Sequence, residues 1–229
     1  SPYTDEQVRL DDVLVDWGTV ERIVLTHHHH DHHQDAARLA LKHGVPILAH
    51  PLTAARLPHL PIVPVEHLDR IPTDDGDLVV HHTPGHAPGH IALQTPQGPV
   101  VAGDLVAGVG TIALDPDDAG HLATYLTSLT ALRALRATAL LPAHGPVLTD
   151  PDATIDHYIA HRNGRTAQVS GTLVEHGPLT RLDIARRVYS ELDPRYHPLA
   201  AVQVRAHLHH LLEQGAVHDA AGLWSVRAV

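Results

Sequence analysis

The fold is decided by residues 26–32, THHHHDH, which directly follow the short apolar run ERIVL. An apolar run of this length and composition predicts a β-strand. Because alternate side chains of an extended chain share a face, His27 and His29 can point the same way. Asp31 and His32 reach a second point a few ångströms away as the chain turns into a helix. The stretch can therefore hold two metal ions rather than one.

Three further segments end predicted strands with a residue type that binds metal ions. They are His86 in TPGHAPGH, Asp104 in AGD and His144 in PAHGP. A single histidine of this kind is more often a surface or core residue, but four such loops in this order indicate one site. A purification tag would also contain consecutive histidines, but tags are terminal and lack an Asp-His continuation behind a strand.

The composition limits which chemistry such a site can use. The 229 residues include 24 His but no Cys, Met or Phe. Without cysteine there are no disulfides, thiolate metal sites or cysteine nucleophiles, so a transition metal must bind imidazole and carboxylate. No apolar run is long enough for a membrane span, and no signal peptide or lipidation motif is visible. We therefore expect a cytoplasmic protein without a membrane partner.

The net charge of −10 is unevenly distributed. Residues 1–164 carry 9 basic and 20 acidic side chains, whereas residues 165–229 carry 7 and 6. Neither part has the basic excess that a protein needs to bind nucleic acid through phosphate neutralisation alone. Bound divalent cations would offset part of the acidity of the first part, although an acidic surface that keeps the protein soluble explains it equally well.

Apolar periodicity and turn residues predict alternating strands and helices, which is typical of a layered α/β domain. Helices are predicted at 5–17, after the histidine stretch, at 119–136 and at about 151–169. Strands are predicted at 21–26, 46–50, 77–82, 90–95, 99–105 and 138–144. The tail then reads helix (about 180–191), loop (193–198), helix (199–214) and a short hairpin, an order that resembles a winged helix. We place the catalytic domain at 1–170 and the winged-helix-like domain at 171–229.

On these motifs the chain resembles metallo-β-lactamase-fold hydrolases. The pattern continues through 110–129, 144–165 and the tail, and it is similar to the lactamase-beta-2-like branch with its C-terminal winged helix, close to glyoxalase II. The resemblance implies an αββα sandwich. Family members usually open with several strands that this chain does not show, so we expect a fragment, a processed form, or a first sheet that is short or completed by another chain.

The resemblance also implies the ligand set. His27, His29 and His86 would bind metal 1, and Asp31, His32 and His144 would bind metal 2. Asp104 would bridge the two ions, which would share a hydroxide as the nucleophile. Zinc suits these ligands best, and Mn or Fe also fit. We take Asp31, Asp104 and His90 as candidate catalytic residues, with a packed, neutral His90 as the alternative.

Three functions are compatible with these motifs. The leading hypothesis is a dinuclear metal-dependent hydrolase of a small thioester, ester or lactone, which the acidity favours. The second is an endoribonuclease that cleaves single-stranded RNA, which the tail favours. The third is a metal-responsive winged-helix DNA-binding protein.

The two helices that could contact nucleic acid have more ordinary uses. Helix 199–214 offers Arg205 with histidines and apolar residues, a composition that disfavours sequence-specific DNA reading. We expect this helix to pack on the catalytic domain, to form a homodimer surface or to shape the substrate entrance. Tyr158, His161, Arg162 and Arg165 share one helix face, which could meet an acidic substrate or dock the two domains.

Overall fold

The structure, a computed structural model that describes residues 3–227, alternates strands and helices as the sequence predicts. The helices are α1 (Thr4–Asp16), α2 (His30–His33), α3 (Ala36–His43), α4 (Pro51–Ala54), α5 (Leu122–Ala134), α6 (Pro151–His176), α7 (Arg181–Val188) and α8 (His197–Glu213), with 3₁₀ turns at Pro116–Asp118 and Pro194–Tyr196. The strands are β1 (Ile23–Val24), β2 (Ile47–Ala49), β3 (Ile62–Pro64), β4 (Arg70–Ile71), β5 (Leu78–His82), β6 (Ile91–Gln94), β7 (Val100–Gly103), β8 (Leu140–Pro142), β9 (Leu179–Thr180), β10 (Val217–Ala220) and β11 (Leu223–Val226). Among the helices of residues 3–227, none combines the length and the apolar composition that crossing a membrane requires.

Two β-sheets form the centre of the first domain. One is parallel, in the order β1-β2-β3, and the other has the order β4-β5-β6-β7-β8, antiparallel except for the parallel pair β7-β8. Val24 and Leu48 of the first sheet pack in one cluster with Val80 and Ile91 of the second. The two sheets therefore face each other across an apolar core.

Helices cover the outer faces of both sheets. Ala36 of α3 packs with Ile47 of the first sheet. Leu129 of α5 and Ile155 of α6 pack with Leu140 of the second sheet. The resulting helix, sheet, sheet, helix order confirms the predicted αββα sandwich.

Strand direction brings the predicted ligand loops to one edge. Because β5 and β7 both run antiparallel to β6, and β8 runs parallel to β7, these three strands end at the same edge of the second sheet. The first sheet is tied to that edge by the N–H of Ile91, which donates to the carbonyl of Thr26 at 2.8 Å. Loops that follow β1, β5, β7 and β8 therefore meet above the sandwich.

The tail folds as a separate core of α7, α8 and the antiparallel sheet β10-β11-β9. This helix and hairpin order confirms the winged helix that the sequence predicts. Helix α6 joins the two cores, since Ile155 packs in the first, whereas Val169 and Leu173 pack in the second. The predicted division at 170/171 falls inside this continuous helix and stays a prediction.

The sequence did not predict β3, β4 and α4, and it made α6 too short. Pro58, Pro61 and Pro64 punctuate the region of the missed strands, and both strands are sheet edges, where proline is tolerated. Helix α6 continues through Gly171 to His176, because packing in the second core offsets the poor helix propensity of glycine. Gly177 ends it with a φ of +74°.

Stability should fall in acid partly because of His207, which is buried between α8 and α6. Its Nδ1 lies 2.8 Å from Thr166 Oγ1. Burial, reinforced by Arg162, lowers its pKa from 6.5 to about 3. Below pH 6.5 His207 becomes protonated in the unfolded chain but stays neutral in the folded protein. Stability is therefore lost as the pH falls from 6.5 towards 3.

We expect acidification from pH 7.5 to 5.5 to lower the unfolding free energy of the metal-free wild type by about 1 kcal/mol more than that of His207→Gln. Urea unfolding at both pH values measures this difference. Val204→Ala, a cavity in the same helix, should lower stability equally at both values. Equal losses on acidification in wild type and His207→Gln would contradict the assignment.

Candidate metal centre

Three imidazole nitrogens converge on one point at the end of β1. His27 Nε2 lies 3.0 Å from His29 Nδ1 and 3.2 Å from His86 Nε2, and the last two atoms are 2.9 Å apart. Burial lowers the pKa of His86 to about 4 and that of His27 far below its ordinary range. Both rings are therefore neutral, and each can present a lone pair.

Outer hydrogen bonds decide which nitrogen of each ring carries that lone pair. The Nδ1–H of His86 donates to the carbonyl of Ala113 at 2.8 Å. The Nε2–H of His29 donates to Asp118 Oδ2 at 2.7 Å, and the Nδ1–H of His27 donates to the hydroxyl of the preceding threonine at 3.1 Å. All three lone pairs then point at one another, which is unfavourable unless a cation lies between them.

The spacing of the three nitrogens fits a tetrahedral metal ion. Ligands at about 2.0–2.1 Å in a tetrahedron are separated by about 3.3 Å. Asp104 adds a fourth atom at a similar spacing, because its Oδ2 lies 3.4 Å from His86 Nε2 and 3.9 Å from His27 Nε2. These four residues therefore form a group that can hold one ion.

Asp31, His32 and His144 form a second group beside the first. Asp31 Oδ2 lies 3.5 Å from His32 Nε2 and 3.4 Å from His144 Nε2. Asp104 reaches this group too, with Oδ1 3.6 Å from His144 Nε2 and Oδ2 3.5 Å from His32 Nε2. The buried atoms His32 Nε2 and Asp104 Oδ1 have no hydrogen-bond partner. Their unmet bonding capacity fits a second ion with Asp104 between the two.

His90 lies beneath Asp104 and is fully buried. Its Nε2 accepts the backbone N–H of Asp104 at 3.0 Å, and its Nδ1–H donates to the hydroxyl of Thr83 at 2.9 Å. Burial lowers its pKa to about 3. Gly103 has a φ of +51°, and a Cβ there would lie 2.6 Å from His90 Nε2. His90 thus has the surroundings of the packed, neutral alternative, and its assignment as a catalytic residue stays a prediction.

Comparison with known proteins identifies this arrangement. The profile of the Metallo-beta-lactamase superfamily matches residues 1–144, and that of the Beta-lactamase associated winged helix domain matches residues 180–224. The chain belongs to the metallo-beta-lactamase superfamily. Members of this superfamily are generally metal-dependent hydrolases.

The relatives agree with both parts of the fold. A Beta-lactamase-like protein 2 homolog of Drosophila melanogaster is 31% identical over 154 residues, which cover 66% of this chain and 51% of that protein. The chain thus spans about half the length of this relative. A metallo-beta-lactamase family protein of Thermus thermophilus matches with a TM-score of 0.79 and 22% identity over 96% of this chain and 86% of its own. The protein TTHA1623 in a di-iron-bound form matches with a TM-score of 0.54 and 26% identity over 70% of this chain and 84% of its own.

Sequence reasoning about this superfamily member missed Asp118. This residue lies in the turn 115–118, which we call the acidic turn, and its carboxylate oxygens are 3.0 and 3.1 Å from His28 Nε2. His28 is half-buried against this carboxylate. The run DPDD at 115–118 marks an acidic 3₁₀ turn, yet no local pattern indicates that it folds back onto a histidine stretch about 90 residues earlier.

The polar face of α6 contacts both the segment 107–112 and the second domain. The hydroxyl of Tyr158 accepts the N–H of Ala107 at 2.9 Å, and the buried guanidinium of Arg162 donates to the carbonyl of Ile112. Arg165 donates to the carbonyl of Val188 at 2.8 Å. These contacts favour docking over substrate binding for this face.

Metal content tests the two groups separately. After dialysis, elemental analysis of the wild type should give close to two divalent ions per chain. His86→Ala should retain about one ion, because it removes a ligand from the first group only. Asp104→Ala should retain less than one, because both groups lose an oxygen ligand.

His30→Ala is the matched control, because His30 lies in the same histidine stretch but is exposed. It should keep both ions. A natively purified wild type that contains no metal and takes up none on titration would contradict the metal centre.

Proposed function

We propose that this chain is a dinuclear metal-dependent hydrolase that cleaves a small thioester, ester or lactone. The residues that would hold the ions are those of the two groups described above, with zinc best suited to imidazole and carboxylate ligands. When bound, two such ions would activate a water molecule and polarise the carbonyl oxygen of the substrate.

The cavity above the metal centre supports this choice of substrate. It has a volume of about 330 Å³, in the range of sites for small molecules. Its walls combine metal-ligand side chains with the segment 107–115. Val109, Ile112 and Ala113 give that segment an apolar side that suits an acyl group.

The charge of the cavity carries the preference for a carbonyl substrate over RNA. Among the residues that line it, four are aspartates and none is lysine or arginine: Asp31, Asp104, Asp115 and Asp118. An RNA strand brings a negative charge at every phosphate, and only the scissile one would meet the ions. The neighbouring phosphates would find no lysine or arginine among the residues that line the cavity, whereas a neutral thioester, ester or lactone needs no such cation.

The chain's own side chains can also handle the proton that hydrolysis releases from water. Asp31 is exposed to the cavity, and its contacts to His32 and His144 use Oδ2. This leaves Oδ1 to accept a proton and pass it to the departing thiolate or alkoxide. Asp104 is buried and held from below by His90, which suits a fixed bridge rather than a proton carrier.

Two sets of contacts made by helix α8 weigh against the DNA-binding alternative. Ala206 of α8 packs in the core of the first domain. Arg205, the arginine of this helix, pairs with Asp115 at 2.6 Å and Asp117 at 2.8 Å. Both contacts favour a structural use of this helix in the assembly of the pocket.

A substrate panel on the metal-loaded protein tests the proposal. We expect measurable hydrolysis of a thioester, an ester or a lactone, and a kcat/KM at least tenfold lower for a phosphodiester or single-stranded RNA. Chelation should abolish the activity. Asp31→Asn should lower kcat/KM by about a hundredfold or more, the range for a group that transfers a proton in the reaction.

Exposed His30→Ala again serves as the control and should retain wild-type kcat/KM. Faster cleavage of RNA than of every carbonyl substrate would overturn the substrate assignment. Activity that survives removal of both ions would overturn the dinuclear mechanism itself.

A further inference from the structure

The acidic turn contacts the histidine stretch on the side opposite the point where the imidazole nitrogens of His27, His29 and His86 converge. Asp118 Oδ2 accepts the Nε2–H of His29 at 2.7 Å, while Nδ1 of the same ring faces that point. The second contact is with His28, whose Nε2 lies 3.0 Å from Asp118 Oδ1. One carboxylate thus determines which nitrogen of a metal ligand is free and how its ring is oriented.

The carboxylate of Asp118 also has a cationic neighbour. Arg56 Nε lies 3.8 Å from Asp118 Oδ1, and the Asp118 side chain is 40% exposed. A hydrogen-bonded carboxylate behind a metal-bound imidazole increases the basicity of the ring and removes its rotational freedom. The first metal group therefore depends on where the acidic turn is held.

The C-terminal domain holds the acidic turn. Arg205 of α8 places Nη2 2.6 Å from Asp115 Oδ1 and Nη1 2.8 Å from Asp117 Oδ2. Two residues earlier on the same helix, Gln203 Oε1 accepts the N–H of Leu114 at 3.2 Å. The Arg205 side chain is 14% exposed, whereas those of Asp115 and Asp117 are 47% and 78% exposed, so water reaches these pairs from the carboxylate side only.

The acidic turn needs such a cation for two reasons. It contains three carboxylates within four residues, and they repel one another. It also leads into Ala119, a non-glycine residue with a φ of +59°, a conformation that costs conformational energy. Arg205 neutralises two of the three carboxylates and leaves the third, that of Asp118, to the histidines.

We propose that Asp118 is a positioning residue for the metal ligand His29, and that Arg205 of the C-terminal domain holds Asp118 in place. The inference rests on the metal centre of the proposed function. It assigns the C-terminal domain a defined task, which is to tighten binding at the first metal group from outside the catalytic domain.

Zinc titration of the metal-free full-length chain against a chelating dye tests Asp118. In Asp118→Asn the Kd of one ion should rise about 10- to 100-fold, the range for outer partners of metal ligands. The Kd of the other ion should stay within about threefold, because the second metal group has no contact with the acidic turn among the described residues. Asp152→Asn, an exposed aspartate paired with Arg133, is the control and should bind both ions as the wild type does.

Arg205 is tested in the same titration. Arg205→Ala should raise the Kd of the same ion roughly three- to tenfold, as expected for a residue that acts through another. Arg205→Lys should recover part of the affinity, because an ammonium keeps the charge but lacks the two-armed geometry. Arg195→Ala, an exposed arginine of the same domain, is the control.

The double variant Asp118→Asn/Arg205→Ala separates this pathway from general damage. Because both residues act through the same imidazole, the double variant should bind the affected ion no more weakly than Asp118→Asn alone. Additive losses, or equal weakening of both ions, would overturn the inference while leaving the metal-dependent hydrolase intact. A wild type that binds no zinc would overturn both proposals, and thermal unfolding of each metal-free variant verifies that it is folded.

Discussion

The convergence of three imidazole lone pairs on one point is the constraint on which the rest of this structure depends. Neutral nitrogens about 3 Å apart repel unless a cation joins them, so the fold must supply the rigidity that keeps them there. It does so by giving each ring a partner on its other side, namely Ala113 for His86, Asp118 for His29 and a threonine hydroxyl for His27. Ala113 and Asp118 belong to one segment, which is 27 residues away from His86 and 89 residues away from His29 in sequence and reaches them only through the packed sandwich.

The second domain helps to keep the metal-ligand side chains in place. A winged helix that reads DNA keeps its second helix free, whereas α8 places Ala206 in the catalytic core and Arg205 against the acidic turn. Helix α6 acts in parallel, since Arg162 holds the carbonyl of Ile112 on the cavity wall. The segment 107–118, which shapes the cavity, is thus fastened from behind by the C-terminal half of the chain.

Most of the fold could be predicted because its signals are local. The apolar runs before the histidine stretch and before Asp104 predict β1 and β7 without reference to the rest of the chain. The edge strands β3 and β4 could not be predicted, because proline masks their pattern and their pairing depends on neighbours. The length of α6 depended on a second core that stabilises its last turns against glycine.

The sequence by itself determined the chemistry of this protein: a chain without cysteine, with HHHHDH behind a strand, can build a metal site only from imidazole and carboxylate. The alternation of an extended chain also paired His27 with His29, because that relation spans two residues. Only the tertiary structure decided that Asp118 and Arg205 stand behind those ligands and that His90 lies under Asp104. Such contacts join residues far apart in sequence, and they are set by how sheets and helices pack, which no local pattern encodes.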